Sequence, residues 1–183
     1  MKKIKYLILF PYLVIGSIVS CTPDYVTDAT PAIENPSNPS GQSITLNFTS
    51  GEFVGVLNNA NFVNAAGVAT RFILDDNPSY LLVYGNGTNQ LNANIINKEN
   101  GQLTNITSNE SDSNNTLAIR RSEKLYTSTT GTFTITDEQI ISNQNNMEII
   151  RCKFTFDGTF EVKDISTSEI IETGVKINGT IVF

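Results

Sequence analysis

The chain has 183 residues, 39% of them hydrophobic and 16% charged, with no His and no Trp. That length supports one domain with a sizeable core plus some non-globular sequence, and the missing His excludes Ser-His-Asp or Cys-His catalysis and His-ligated zinc within this chain. The net charge is −6, and −9 once Lys2, Lys3 and Lys5 are set aside, which argues against nucleic acid and against direct docking to anionic lipid.

In chain order, the first element is Met1-Lys2-Lys3-Ile4-Lys5 followed by an apolar stretch from Tyr6 to Val19, with Gly16, Ser17 and Ser20 near its end. Positive charge holds the N-terminus inside while the apolar helix enters the membrane, so residues 1–20 read as a secretory signal peptide. The stretch falls short of the roughly 20 residues that span a bilayer, and Pro11 interrupts it. Its end, Ile18-Val19-Ser20-Cys21, resembles the lipobox of bacterial lipoproteins. That resemblance implies cleavage between Ser20 and Cys21 and a diacylglycerol on the Cys21 thiol, because a thiolate is the nucleophile that forms the thioether. Two or more acyl chains, at about 0.8 kcal/mol per buried CH₂, hold a protein on a membrane with no transmembrane helix. The membrane is therefore the first expected partner, engaged through the N-terminal lipid, in the cell envelope and by expectation at the outer membrane.

Residues 21–42 follow as the lipidated Cys and a tether. Pro23, Pro31, Pro36 and Pro39 are separated by Ser, Asn and Thr without an apolar period, which reads as extended or disordered chain. As a flexible coil the tether would average roughly 25 Å end to end.

From residue 43 to 183, period-2 alternation predicts strands with one buried and one wet face. It runs through Ile44, Leu46 and Phe48; Leu91, Ala93 and Ile95; Phe133 and Ile135; Ile150, Cys152, Phe154 and Phe156; and Val175, Ile177, Ile181 and Phe183. Asn77-Pro78, Asn86-Gly87, Asn100-Gly101 and Asp157-Gly158 carry turn signals. At Asp157-Gly158 a two-residue hairpin would set inward against outward faces. A three-residue loop, a bulged connection or a continuous bulged strand keeps Phe154, Phe156, Phe160 and Val162 together. Gly131-Thr132-Phe133, Gly158-Thr159-Phe160 and Gly179-Thr180-Ile181 read as a shared strand-entry chemistry, and Asp137 to Asn143 as a short helical turn. The expected fold is all-β, a single antiparallel β-sandwich, with a meander β-barrel as the alternative.

The segments GTFTITD, IIRCKFTFDGTFEVKD and VKINGTIVF, which start at Gly131, Ile149 and Val175, resemble small lipoproteins of Bacteroidota that carry an uncharacterised β-rich domain (domain of unknown function 6252). The resemblance covers roughly Ile44 to Phe183. It implies an envelope location and a β fold, and supplies no activity and no catalytic residues. Such proteins, when displayed at the cell surface, often carry an acidic cluster just after the Cys; here Asp24, Asp28 and Glu34 are scattered, so periplasmic and surface facing both stay open.

Candidate chemistry is sparse. Cys152 shares parity with buried residues and reads as a core thiol; with Cys21 lipidated, no intrachain disulfide remains. The run Asn109-Glu110-Ser111-Asp112-Ser113-Asn114 offers oxygen ligands but lacks the Gly and distant Glu of a Ca²⁺ loop, and Asp75-Asp76-Asn77-Pro78 reads as a turn. Tyr80, Leu82 and Tyr84 share a face, as a core margin or as a sugar-stacking strip, and Arg120-Arg121 reads as a surface pair. No catalytic residue, metal ligand or cofactor is assigned. The expected function is a non-catalytic envelope lipoprotein binding a protein, glycan or other ligand. A structural or assembly component comes second, and a hydrolase using carboxylates alone comes last. An apolar interior cavity would favour a small ligand, and a filled core with an exposed apolar patch a protein partner.

Overall fold

The computed structural model describes residues 41–74, 77–105 and 115–183. Ser20, Cys21, residues 1–40 generally, Asp75-Asp76 and the Asn109–Asn114 run lie outside them. Ten strands form in chain order: β1 (Ser43–Phe48), β2 (Gly55–Asn58), β3 (Ala66–Leu74), β4 (Asn77–Gly85), β5 (Asn89–Ile95), β6 (Gln102–Thr104), β7 (Thr116–Arg121), β8 (Lys124–Gln144), β9 (Met147–Asp164) and β10 (Ile170–Val182). A 3₁₀ turn at Asn59–Asn61 is capped by the Asn58 side chain. Every pairing is antiparallel, in the order β2-β1-β10-β9-β3-β4-β5-β7-β8-β6, and β8 also pairs with β9. The fold is all-β and sandwich-like, and not a clear closed barrel.

The long β8–β9 hairpin belongs to both halves of the sheet. β9 pairs with β3 over Ile150–Met147 and with β10 over Lys153–Lys163, while β8 pairs with β7 at its start and β6 further on. Side chains of alternating parity converge between the halves: Ile44, Leu46 and Phe48 from β1; Phe154, Phe156, Phe160 and Val162 from β9; Tyr80, Leu82 and Tyr84 from β4; Leu117 and Ile119 from β7. They form one contiguous core. Burying each of the larger side chains stabilises the fold by about 1.5–3 kcal/mol.

Three sequence expectations change. Of the alternatives at Asp157-Gly158 the continuous strand is the one found: both residues lie inside β9, which runs on without a hairpin and keeps Phe154, Phe156, Phe160 and Val162 on the buried face. What changes is the place of the bulge. The bulge belongs to the partner strand, where the register shifts between Ser128 and Thr130. There the buried Ser128 hydroxyl accepts from the Leu117 amide at 3.0 Å and donates to the Thr104 carbonyl at 3.0 Å, satisfying groups that the disrupted ladder leaves behind. Second, the Gly-Thr pairs are mid-strand, not strand entries. Gly131 sits directly opposite Gly158, and a Cβ on Gly131 would meet the Asp157 carbonyl oxygen at 2.5 Å. Close backbone approach therefore demands glycine there. Third, Asp137 to Asn143 is strand, not a helical turn. Register shifts between Thr136 and Gln139 and between Ile140 and Ser142 break its alternation, and Asp137 takes a positive φ of 58°.

Candidate functional site

Polar side chains gather where the far half of the hairpin meets β3, β4 and the β5–β6 loop. Arg71 of β3 is the hub. Its Nε donates to Glu148 Oε2 at 2.6 Å, a second nitrogen contacts the same oxygen, and Nη1 donates to Glu138 Oε2 at 3.3 Å. Glu138 also accepts from the Tyr80 hydroxyl at 3.1 Å and from Lys98 Nζ, and Glu148 accepts from Asn143 Nδ2 at 3.0 Å. Two cations thus meet two carboxylates, which suits a partly buried site where an unpaired charge is costly. Burial pulls the Arg71 and Lys98 pKa values down, but Glu148 for Arg71 and Glu138 for Lys98, each together with Tyr80, more than offset it and both end raised. Burial, reinforced by the Glu138 charge, raises Tyr80.

The turn that carries Lys98 is fixed by Asn115. That fully buried amide accepts from the Ile96 and Asn97 backbone N–H groups at 2.9 and 2.8 Å. Its Nδ2 faces the Asn97 carbonyl, Asn100 Oδ1 and the Gln102 carbonyl at 2.7, 2.7 and 3.0 Å. One side chain therefore satisfies the turn between β5 and β6, the role Asn performs in loops. Asn86-Gly87 and Asn100-Gly101 lie in turns as expected, while Asn77-Pro78 opens β4.

The residues named from sequence take mostly structural places. Cys152 is buried, and burial, with the Glu138 charge adding and Lys98 opposing, pushes its thiol up to about 12. A thiol in that state is a poor nucleophile. Tyr80, Leu82 and Tyr84 point into the core, so they form no sugar-stacking strip; Tyr84 meets Phe62 and Phe183 edge-on. Arg120 donates to the Ser122 carbonyl at 3.2 Å, but Arg121 is not its surface twin: its guanidinium lies 3.6 Å over the Phe53 ring. Glu138 and Glu148, the carboxylates that converge, are both engaged by cations. Among the described residues no group of Cys, Asp or Glu is arranged to hold a metal ion.

Two surfaces face outward with distinct chemistry. On the outer side of β8, β9, β10 and β1, Thr134, Thr155, Thr180 and Thr45 stand in one cross-strand row, and Thr132, Asp157, Asn178 and Asn47 in the next. They line a shallow depression of about 360 Å³. Near the fork where β9 leaves β3 for β10, a groove of about 380 Å³ is lined by Val68, Ile141 and Ile149, with Asp137, Arg151 and Lys153 at its rim. Val68, Ile141 and Ile149 are 52%, 58% and 39% exposed. The Gln42 amide closes one end of it, donating to the Gly67 carbonyl at 2.8 Å and accepting from the Gly67 N–H at 3.0 Å. No family model, curated protein or solved structure matches the chain. The two surfaces therefore stand on their own chemistry. Sequence alternation missed the aliphatic groove because its members come from β3, β8 and β9, and Ile140-Ile141 fall on a bulge.

Proposed function

We propose that this protein is a lipid-anchored component of the bacterial cell envelope, joined to the outer membrane through Cys21, whose β domain binds a protein partner in the groove of Val68, Ile141 and Ile149. One observation carries the reading: branched aliphatics from three strands share a concave, solvent-facing groove with charged residues at its rim. That is the anatomy of a protein-binding patch, an apolar centre with a polar rim. Ile140 and Met147 on the same hairpin are exposed as well, at 55% and 38%. The core between the sheet halves is occupied by Phe, Tyr, Leu and Ile, which favours a surface site over an internal ligand cavity. The lipobox resemblance and the charged, apolar leader support the anchor, and the likeness to Bacteroidota lipoproteins supports the location. A second reading, glycan binding, draws on the Thr and Asn rows, whose hydroxyl and amide groups suit a neutral hydroxylated ligand.

Radiolabelled palmitate should enter the wild type and not Cys21→Ala; label in both overturns the anchor. In intact cells, a photo-crosslinking residue at Ile141 should give a discrete protein adduct that Ile149→Asp removes, while the same residue at Thr180 gives none. Adducts from Thr180 alone would move the site to the polar face. Protease shaving of those cells then reports facing, since only a surface-exposed domain is degraded.

A further inference from the structure

Far from the aliphatic groove, at the start of β8, a second site is built around Arg121. The Arg121 guanidinium carbon lies 3.6 Å from the centre of the Phe53 ring, which packs edge-on against Phe48 with ring centroids 5.1 Å apart, and Phe48 meets Tyr126 at 5.3 Å. The cation is thus laid on an aromatic chain that runs into the core, and stacking of this kind fixes its plane. Among the described residues no oxygen accepts from its N–H groups, whereas the neighbouring cations are taken: Arg120 by the Ser122 carbonyl, Lys124 by Glu52 at 2.5 Å. Arg121 opens onto a groove of about 510 Å³ lined by Leu57, Asn61, Asn89, Ser122, Glu123 and Lys124. Asn61 uses its Oδ1 on the Asn58 N–H, and Asn89 uses its Nδ2 on the Asn61 carbonyl. One donor group and one acceptor are left over, on adjacent amides.

We propose that this groove binds a carboxylate-bearing sugar, a uronic acid, with its carboxylate held by the Arg121 fork and its hydroxyls met by Asn61, Asn89 and Ser122. Arg121 and Lys124 stand against Glu52 and Glu123 here, and Lys124 is held by Glu52, so among the described residues Arg121 is the groove's cation left to answer a carboxylate, while Glu123 disfavours a more highly charged anion. The planar guanidinium with parallel N–H groups matches a planar carboxylate bidentately. Glu52 is the built-in competitor: its pKa is lowered by the Lys124 hydrogen bond first, and to a smaller extent by Arg121.

Titration of the full chain in detergent with galacturonate, its trisaccharide, galactose and inorganic phosphate tests the site by calorimetry. Saturable uronate binding is expected, with galactose and Arg121→Gln each at least about tenfold weaker. Glu52→Gln should move the opposite way and tighten binding severalfold, a gain that loss of fold cannot mimic. Equal affinity for the monosaccharide and trisaccharide assigns a free sugar acid, and tighter trisaccharide binding assigns an acidic polymer. Galactose or phosphate binding as tightly as galacturonate overturns the proposal, as does Arg121→Gln binding like wild type. This site is independent of the aliphatic groove, and neither result bears on the other.

Discussion

The two ends of the β8–β9 hairpin are made of the same two strands and are stabilised differently. At the base, Phe133, Phe154, Phe156 and Phe160 are buried, and neighbouring strands β7, β6 and β10 pair along the outer edges. At the tip, β8 has no strand partner on its outer edge beyond Phe133 among the described residues, and Ile140, Ile141, Met147 and Ile149 face solvent. What ties the tip to β3 and β4 is the short β9–β3 ladder together with the Arg71, Glu138, Glu148 and Lys98 network. Apolar burial holds the base, and charge pairing leaves the aliphatics of the tip uncommitted. An edge strand with bulges is also poorly suited to uncontrolled strand pairing, so those aliphatics can stay exposed without templating aggregation.

The comparison breaks most simply at the base. Phe154 is fully buried, with Phe133 at 6.0 Å and Phe156 at 5.8 Å between ring centroids. Phe154→Ala should cost about 3–5 kcal/mol in urea unfolding, and a cost under about 1 kcal/mol would mean that the base is not held by its aromatic core. Cys152 sits where base and tip meet and gives a pH test. Its folded thiol is pushed up to about 12 from 9.0, so the unfolded chain releases this proton first as pH rises. Stability from this group is complete below pH 9, falls through the window up to about 12, and shows no acid-side loss. The full span corresponds to at most about 4 kcal/mol. Subtracting the pH profile of Cys152→Val isolates it from Tyr and Lys titration, and parallel profiles would refute the burial of the thiol.

At the tip, Arg71→Met leaves Glu148, a buried carboxylate, without its cation. A loss of about 3 kcal/mol is expected, with faster amide exchange in Met147–Ile150 than at Phe156. The double variant Arg71→Met with Glu148→Leu should recover much of that loss, because the buried charge goes too. Uniform change in exchange across the hairpin would show that base and tip are one cooperative unit.

Much of the base was readable in the sequence. Alternation through Ile44, Leu46 and Phe48, and through Ile150, Cys152, Phe154 and Phe156, placed those side chains on the buried face, where the structure has them. The tip was harder, since a bulge shifts parity by one residue, and two bulges in β8 turned a strand into what reads as a helical turn. β4 was ambiguous for another reason. Leu81 and Val83 flank Leu82 and are themselves apolar, so hydropathy could not say which face Tyr80 and Tyr84 take. The ion network left no sequence trace at all. Arg71 and Glu148 lie 77 positions apart, Lys98 and Glu138 40 apart, and only the register of β3, β8 and β9 together with the β5–β6 turn brings them together. Asp157-Gly158 carries the local chemistry of a turn, yet the strands on either side bury enough aromatic surface to run straight through it.

The smallest effect on stability is the sharpest test of function. Ile141 and Ile149 are more than a third exposed, so replacing either with Ser removes little buried area and should shift unfolding by under about 0.5 kcal/mol. If those side chains exist to pack the tip, that estimate fails and Ile149→Ser behaves like a mild version of Arg71→Met. If they exist to be covered by a partner, folding is unchanged while the adduct formed through a photo-crosslinker at Val68 disappears. The same substitution is then silent in urea and decisive in the cell, a split that a purely structural tip cannot produce.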